Sequence, residues 1–167
     1  MIDTILKRSS VRRYTDEEIS RENLDKIIRA GFAAPTSHNS RPWHFIILDD
    51  KELMKNVGQN MEYAHMIEFA NKAIIVCADV TLAPECWMLD CSAASENILL
   101  AAESLGIGAC WTAVYPYKHR EEVVKKFIPL PENIKPLCII PLGYAGKPAN
   151  IKDKYDSTRI HYNKFNW

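Results

Sequence analysis

The sequence predicts a layered domain in which one β-sheet is covered by helices on both faces. Helical and strand-like patterns alternate along the 167 residues, and this alternation is the pattern of a layered α and β fold. The continuous apolar run at residues 73–80 is typical of a central strand that is buried on both faces. A hydrophobic content of 47% suffices for one core, but the chain is too short for two ordinary domains. We therefore expect a single domain over residues 1–167, and the interleaved order by itself favours a parallel sheet.

The first half of the chain contains four helical patterns and two strands. The second helix is expected from Ser20, whose hydroxyl can cap its first turn, to Phe32. Asp49 or Asp50 is expected to cap the third in the same way. In order, the elements are a helix at 2–8, a helix at 20–32, a strand at 43–48, a helix from about 51, a helical stretch around 63–70 and the strand at 73–80.

The second half begins with the longest helical pattern, at residues 86–108, for which Gly106 is a suitable stop. We expect a strand at 108–114, a helix at 118–127 and a buried strand at 136–146 that Pro141 interrupts. The tail at 147–167 is polar but ends in aromatic residues. Such a tail is a poor element by itself, so we expect this arm to pack along another surface.

Composition argues against several classes of protein. The 21 basic and 21 acidic residues balance, so the basic excess of a nucleic-acid-binding domain is absent from the totals. No apolar run approaches the roughly 20 residues of a membrane span, and the first ten residues show no secretion signal. The five cysteines form no C-x-x-C pair and the five histidines have no metal-ligand spacing. We expect reduced, mostly buried thiols, no metal site and a cytoplasmic location.

Three polar segments are candidates for a binding site. In "KRSSVRRY", the side chains of Arg8, Ser10 and Arg12 would share one face of an extended segment, and arginine and serine suit a phosphate. The tail segment "NIKDKYDSTR" adds two lysines and an arginine, and "APTSHNSRPWHFIIL" places a polar loop directly before a buried strand. Taken alone, the first two fit a solvated surface and the third fits a turn that caps the strand.

Together, these segments resemble the flavin-dependent nitroreductase family along nearly the whole chain. The most specific matches are R-x-S-x-R at residues 8–12 and P-[ST]-S-x-N-x-x-P-W at residues 35–43. A long helix rich in small residues that ends in L-G-x-G-x-x-W at residues 105–111 is nearly as specific. "PLGYAGKP" and the basic, aromatic tail follow in the family's order.

The resemblance implies an α+β three-layer sandwich whose central sheet is mainly antiparallel, which replaces the parallel sheet favoured by element order. It also implies an obligate homodimer with FMN in the cleft between subunits, and an arm at 147–167 that reaches across to the partner. The polar loop would then contribute to FMN bound mainly by the other subunit, in a buried interface where its hydroxyl and amide groups find partners.

The resemblance assigns cofactor-binding roles to four groups of residues. Arg8 and Ser10 would face the phosphate, and Arg12 would reach the pyrimidine edge of the flavin ring. The strand at residues 110–113 would place its backbone beside flavin N5. Either lysine of the late basic pair would contact the phosphate. The full set is Arg8, Ser9, Ser10 and Arg12; Pro35, Thr36, Ser37 and Asn39; Cys110, Trp111, Thr112 and Ala113; and Lys152 and Lys154.

The chain departs from the family pattern in three ways. Arg41 stands where the family usually has glutamine, which adds charge to the polar loop. Ala113 stands where many members have glycine, which narrows the approach to the ring. The chain also lacks the long helical insertion of larger members, so we expect a more open substrate pocket.

The expected activity is ping-pong reduction of electron-poor molecules, with NADH or NADPH as the electron donor and flavin N5 as the site of hydride transfer. Nitroaromatics, quinones and activated alkenes are the expected acceptors, and no side chain need act as an acid or base. Three alternatives remain open: a specialised flavin reaction such as reductive dehalogenation, a flavin-binding or redox-sensing protein with little turnover, and a cofactor-free interaction domain. The sequence does not choose between NADH and NADPH.

Overall fold

The computed structural model describes residues 1–147, 151 and 153–165. Its sheet consists of β1 (Trp43–Leu48), β2 (Lys72–Asp79), β3 (Gly108–Ala109), β4 (Thr112–Ala113) and β5 (Ile134–Gly143). The order is β1-β2-β5-β3, with β4 also pairing with β5, and every pairing is antiparallel. The parallel sheet favoured by element order is therefore wrong, and the antiparallel sheet implied by the family resemblance is confirmed.

In the described ranges, six helices surround the sheet: α1 (Ile2–Lys7), α2 (Arg21–Phe32), α3 (Lys51–Asn60), α4 (Met66–Phe69), α5 (Trp87–Ser104) and α6 (Lys118–Phe127). The side chains of Ser20 and Asp50 accept hydrogen bonds from backbone N–H groups in the first turns of α2 and α3, as expected for N-caps. Gly106, with φ of 72°, ends the long helix in the left-handed region that glycine adopts without strain.

The two faces of the sheet support separate hydrophobic layers. Ile74 and Val76 of β2 pack in a cluster with residues of α2 and α5. Ile75 and Cys77, which alternate with them, pack with residues of α3, α4 and α6. Side chains on a strand alternate between faces, so this division is the direct result of the continuous apolar run. The predicted helix–sheet–helix sandwich is confirmed.

The last part of the sheet differs from the sequence prediction. The predicted strand at 108–114 is divided into β3 and β4, because pairing with β5 skips Cys110 and Trp111. Strand β5, in contrast, continues through Pro141. The backbone oxygen of Leu142 accepts a hydrogen bond from Asn71 N–H, on the β2 side of β5. Backbone groups of successive residues in a strand point to opposite sides, so those of Pro141 face the gap between β3 and β4. No strand is paired there, and the missing N–H of proline therefore breaks no hydrogen bond of the sheet.

One helix is shorter than expected, because the helical stretch predicted around 63–70 is reduced to α4. In the described residues of the arm, a short 3-10 turn occurs at Ser157–Arg159. Within the described ranges, no helix is long and apolar enough to cross a membrane.

Candidate functional site

The segment after α1 lies against the edge of the sheet, where it presents its basic side chains. Ser10 forms a bridge with Ala109 of β3, and Val11 N–H donates to Ala109 O at 2.9 Å. Gly108 permits this approach, because a Cβ there would lie 2.7 Å from Val11 Cγ1. Tyr14 holds the far end: its hydroxyl donates to Val11 O at 2.7 Å, and its ring lies over Gly143. The sheet edge therefore fixes the position of Arg8–Arg12.

A cavity of about 900 Å³ lies between this segment and the arm, and we call it the arm cavity. Its cations come from both ends of the chain. Arg8 is half-buried, and its only ion pair among the described residues is a long one, with Nε 3.6 Å from Glu96 Oε1. The hydroxyl of Ser9 is buried without a hydrogen-bond partner. The polar lining residues are Arg8, Ser9, Ser10, Arg12, Asp153, Lys154 and Tyr155.

A second cavity of about 610 Å³, the strand cavity, lies along the break between β3 and β4. Its wall is formed by Cys110, Trp111, Thr112 and Ala113, and it also contains Arg12. The Thr112 hydroxyl is buried without a partner. Arg12 lines both cavities, so the basic arm cavity and the strand wall are neighbours in the fold.

Arg120 of α6 also lines the strand cavity, although no sequence motif pointed to it. Its Nη1 donates to Ala113 O at 2.8 Å, and its guanidinium lies 4.4 Å from the centroid of the Tyr117 ring. Its Nε is buried without a partner. Tyr63, His65 and Met66 complete the opposite side of this cavity.

The polar loop at residues 35–41 lines neither of these two cavities. It is nevertheless held in a definite conformation by buried Asp90 of α5, which accepts hydrogen bonds from Ser37 N–H at 2.9 Å and from the Ser40 hydroxyl at 3.3 Å. His38, Asn39 and Arg41 all have positive φ, a conformation that is uncommon outside glycine and that clusters at functional sites.

The structure thus brings together the predicted residues of the N-terminal segment, the 110–113 strand and Lys154. Pro35, Thr36, Ser37 and Asn39 lie elsewhere in the single chain, and Lys152 lies outside the described residues. Arg41 Nε donates to Asn39 Oδ1 at 2.8 Å, so the added charge of this loop is directed at its own asparagine. Asp90 and Arg120 were missed, because neither stands in a recognisable motif.

Three of the five thiols, those of Cys77, Cys91 and Cys138, are poor candidates for catalysis. Burial raises the pKa of Cys77 and that of Cys91 to about 12, so both stay protonated at neutral pH, and a protonated thiol is a weak nucleophile. Cys138 is also fully buried, and burial raises its pKa further. Over residues 1–147, 151 and 153–165, no three His, Cys, Asp or Glu side chains are grouped to hold a metal ion.

Comparison with known proteins gives consistent matches. A family model described as "Nitroreductase family" matches residues 5–80 and 81–144. A relative from Methanothermobacter thermautotrophicus, provisionally named an NADH dehydrogenase/NAD(P)H nitroreductase, is 41% identical over 167 residues, which span 99% of this chain and 87% of that protein.

Solved structures agree with this result. A structure from Parabacteroides distasonis, provisionally named in the same words, has a TM-score of 0.96 and 48% identity and covers 98% of both chains. An FMN-dependent nitroreductase from Clostridium difficile has a TM-score of 0.93 and 32% identity, over 99% of this chain and 100% of that one.

Proposed function

Because this chain belongs to the nitroreductase family, we propose that it is an FMN-dependent NAD(P)H oxidoreductase that reduces electron-poor small molecules. One observation carries the proposal: Arg12 lines both the basic arm cavity and the strand cavity. FMN has a phosphate at one end and an aromatic ring at the other, so a basic cavity next to a strand-walled one suits its shape and charge.

The residues present fit the cofactor. Arg8, Ser10 and Lys154 would hold the phosphate by charge-assisted hydrogen bonds. Ser9 and Thr112 each have a buried hydroxyl without a partner, and buried polar groups are normally hydrogen-bonded. A ligand with polar atoms along its length would satisfy them. Lys152, from the same basic pair, remains a candidate for the phosphate.

The protein's own contribution to the chemistry is placement and charge. When bound, FMN supplies a centre that accepts a hydride from NAD(P)H and passes two electrons to an acceptor. Arg12 would lie at the pyrimidine edge and offset the negative charge that accompanies reduction. The strand wall at 110–113 would present its backbone toward flavin N5. Each turnover oxidises one NAD(P)H to NAD(P)+ and, with one proton from solvent, reduces the acceptor by two electrons.

The acceptors in this proposal are nitroaromatics, quinones and activated alkenes. No acid or base from the protein is required for them, because the proton can come from solvent. A cytoplasmic location stays a prediction from the sequence.

We also propose that the working unit is a homodimer, in which the polar loop of one subunit completes the FMN site of the other. The loop is held rigidly by Asp90 yet lines neither described cavity of its own chain, which supports a role toward a partner. The apolar side chains of α1 support it further, because none of the helix's residues is buried. The arm at 147–167 would pack on the partner while Lys154, which lines the arm cavity of its own chain, still faces the phosphate.

An absorption spectrum of the purified protein tests the proposal. We expect flavin absorption that bleaches when NADH or NADPH is added without oxygen and returns when a quinone is added. A yellow protein that neither donor bleaches would contradict the reductase function but retain the cofactor. A colourless protein that does not bind added FMN would contradict both.

A further inference from the structure

The strand cavity carries positive charge that no carboxylate offsets. Arg12 and Arg120 both line it, and no aspartate or glutamate is among its described lining residues. Neither arginine takes part in any ion pair found in the described part of the chain. The charge is therefore available to a ligand.

Arg12 already has a role in the proposed function, but Arg120 does not. Arg120 is half-buried on the first turn of α6. Its Nη1 is occupied by Ala113 O, while its Nε is buried without a partner. A buried N–H group is normally hydrogen-bonded, because removing a polar group from water is unfavourable unless an acceptor replaces the water.

The guanidinium is also held in place before any ligand binds. The Ala113 carbonyl fixes one nitrogen at 2.8 Å, and the Tyr117 ring lies 4.4 Å from its carbon. A guanidinium offers five N–H groups in a rigid fork that matches a carboxylate. One of them is used by Ala113, so donors remain for an anionic oxygen next to the wall where reduction would occur.

We propose that Arg120 is a specificity-determining residue that binds a carboxylate on the electron acceptor, so that the enzyme prefers small anionic aromatic acceptors to neutral ones. This rests on the proposed function, since the acceptor must enter the strand cavity to be reduced.

A matched pair of nitroaromatics tests the proposal: 4-nitrobenzoate is anionic, and 4-nitrobenzamide is its neutral near-isostere. In each case one NADH and one proton reduce the nitro group to nitroso, with release of NAD+ and one water. We expect the wild-type kcat/KM to be about tenfold or more higher for 4-nitrobenzoate, as a charge-assisted hydrogen bond would give. This preference should shrink as salt is raised, because ions screen charge.

Three variants test whether Arg120 is the residue that causes the preference for 4-nitrobenzoate. Arg120→Gln should lower the benzoate-to-benzamide ratio of kcat/KM about tenfold, and Arg120→Lys should retain part of it, since the charge remains but the fork is lost. Lys118→Gln is the matched control, because Lys118 is exposed on the same helix and lines neither described cavity. It should leave the ratio as in the wild type. If Arg120→Gln does not fold, the lysine variant and the salt dependence provide the test.

The outcomes separate this inference from the function on which it rests. Equal kcat/KM for the two compounds in the wild type, or equal losses for both in Arg120→Gln, would overturn the role of Arg120 while the reductase function stands. A change confined to the KM of NADH would also overturn it and assign the arginine to the donor. Failure of the wild type to reduce either compound would contradict the proposed function itself.

Discussion

Asp90 links the long helix to the polar loop through both of its carboxylate oxygens. Oδ1 accepts from Ser37 N–H at 2.9 Å and Oδ2 from the Ser40 hydroxyl at 3.3 Å. A loop with three residues at positive φ needs such support, because each left-handed residue is strained by about 1–3 kcal/mol. Asp90 thus acts as a positioning residue for any role that the loop has.

Asp90→Asn should therefore weaken FMN binding more than it weakens the fold. The amide keeps one acceptor and replaces the other with a donor, which removes about 1–3 kcal/mol of hydrogen bonding at the loop. We expect about a tenfold rise in the Kd of FMN, measured by fluorescence titration, with a smaller change in unfolding of the apoprotein by urea.

Asp25→Asn is the matched control for this variant. Its carboxylate is exposed and, within the described part of the chain, pairs with Arg29 on the same helix, and exposed pairs contribute little. If Asp90→Asn unfolded more easily but bound FMN as the wild type does, the loop would have no part in the cofactor site.

At the residue scale, sequence reasoning found the cations that stand in motifs and missed those that do not. Alternation along an extended segment predicted a shared face for Arg8, Ser10 and Arg12, and all three line the arm cavity. Arg120 lies on a helix whose charge pattern looks like an ordinary solvated face. Arg120 is recognised as a site residue only from the folded structure, in which it contacts Ala113.

At the element scale, the N-terminal segment depends on close approach to β3. Gly108→Ala would place a Cβ 2.7 Å from Val11 Cγ1, a separation too short to tolerate. Overpacking of this kind costs about 1–3 kcal/mol. We expect lower stability in urea and weaker FMN binding, because Ser10 and Arg12 flank the displaced valine.

Two further variants test whether the clash with Val11 causes the loss of stability and of FMN binding. Gly146→Ala is the control, since its new Cβ would make only ordinary contacts, the nearest at 3.6 Å from Arg13 O. Val11→Ala combined with Gly108→Ala should recover only part of the loss, because it removes the methyl groups at 2.7 and 2.9 Å but keeps the Cβ of residue 11, which lies 2.8 Å from the new Cβ. An unchanged Kd for FMN in Gly108→Ala alone would show that the segment's placement does not matter to the site.

Element prediction failed where pairing overrides local preference. The apolar segment at 108–114 has the pattern of one strand, but its pairing with β5 skips Cys110 and Trp111. The break could not be predicted from residues 108–114 alone, because it depends on the neighbouring strand β5, in which Pro141 faces the gap. Helices with clear caps, such as those that begin after Ser20 and Asp50, were predicted to within a residue.

At the scale of the whole molecule, periodicity established the layers but not the strand directions. The apolar run of β2 required cover on both faces, and the two hydrophobic clusters provide it. Strand direction depends on how the chain returns after each helix, which local patterns do not encode. The family motifs supplied the antiparallel sheet, and the geometry agrees.

The exposed apolar side chains of α1 and α5 provide a direct test of the proposed dimer. The two helices pack together, and Ile2, Leu6 and Leu89 are 71%, 66% and 70% exposed in the single chain. Exposed apolar patches of this kind mark interaction sites. Leu89 also precedes Asp90, the anchor of the loop that would complete the partner's site.

Leu89→Asp should shift the protein toward monomer and reduce its FMN content, because a charge on this surface would have to be buried on association. Phe69→Asp makes a comparable change at a 64% exposed side chain on α4, in the opposite helix layer, and should remain dimeric. Sedimentation equilibrium gives the mass, and flavin absorption gives the FMN content of each species.

A Leu89→Asp dimer with full FMN would place the interface elsewhere. A wild-type monomer that binds FMN would mean that the two cavities lined by Arg12 suffice for cofactor binding within one chain. The conformation of the loop at 35–41 would then need another explanation.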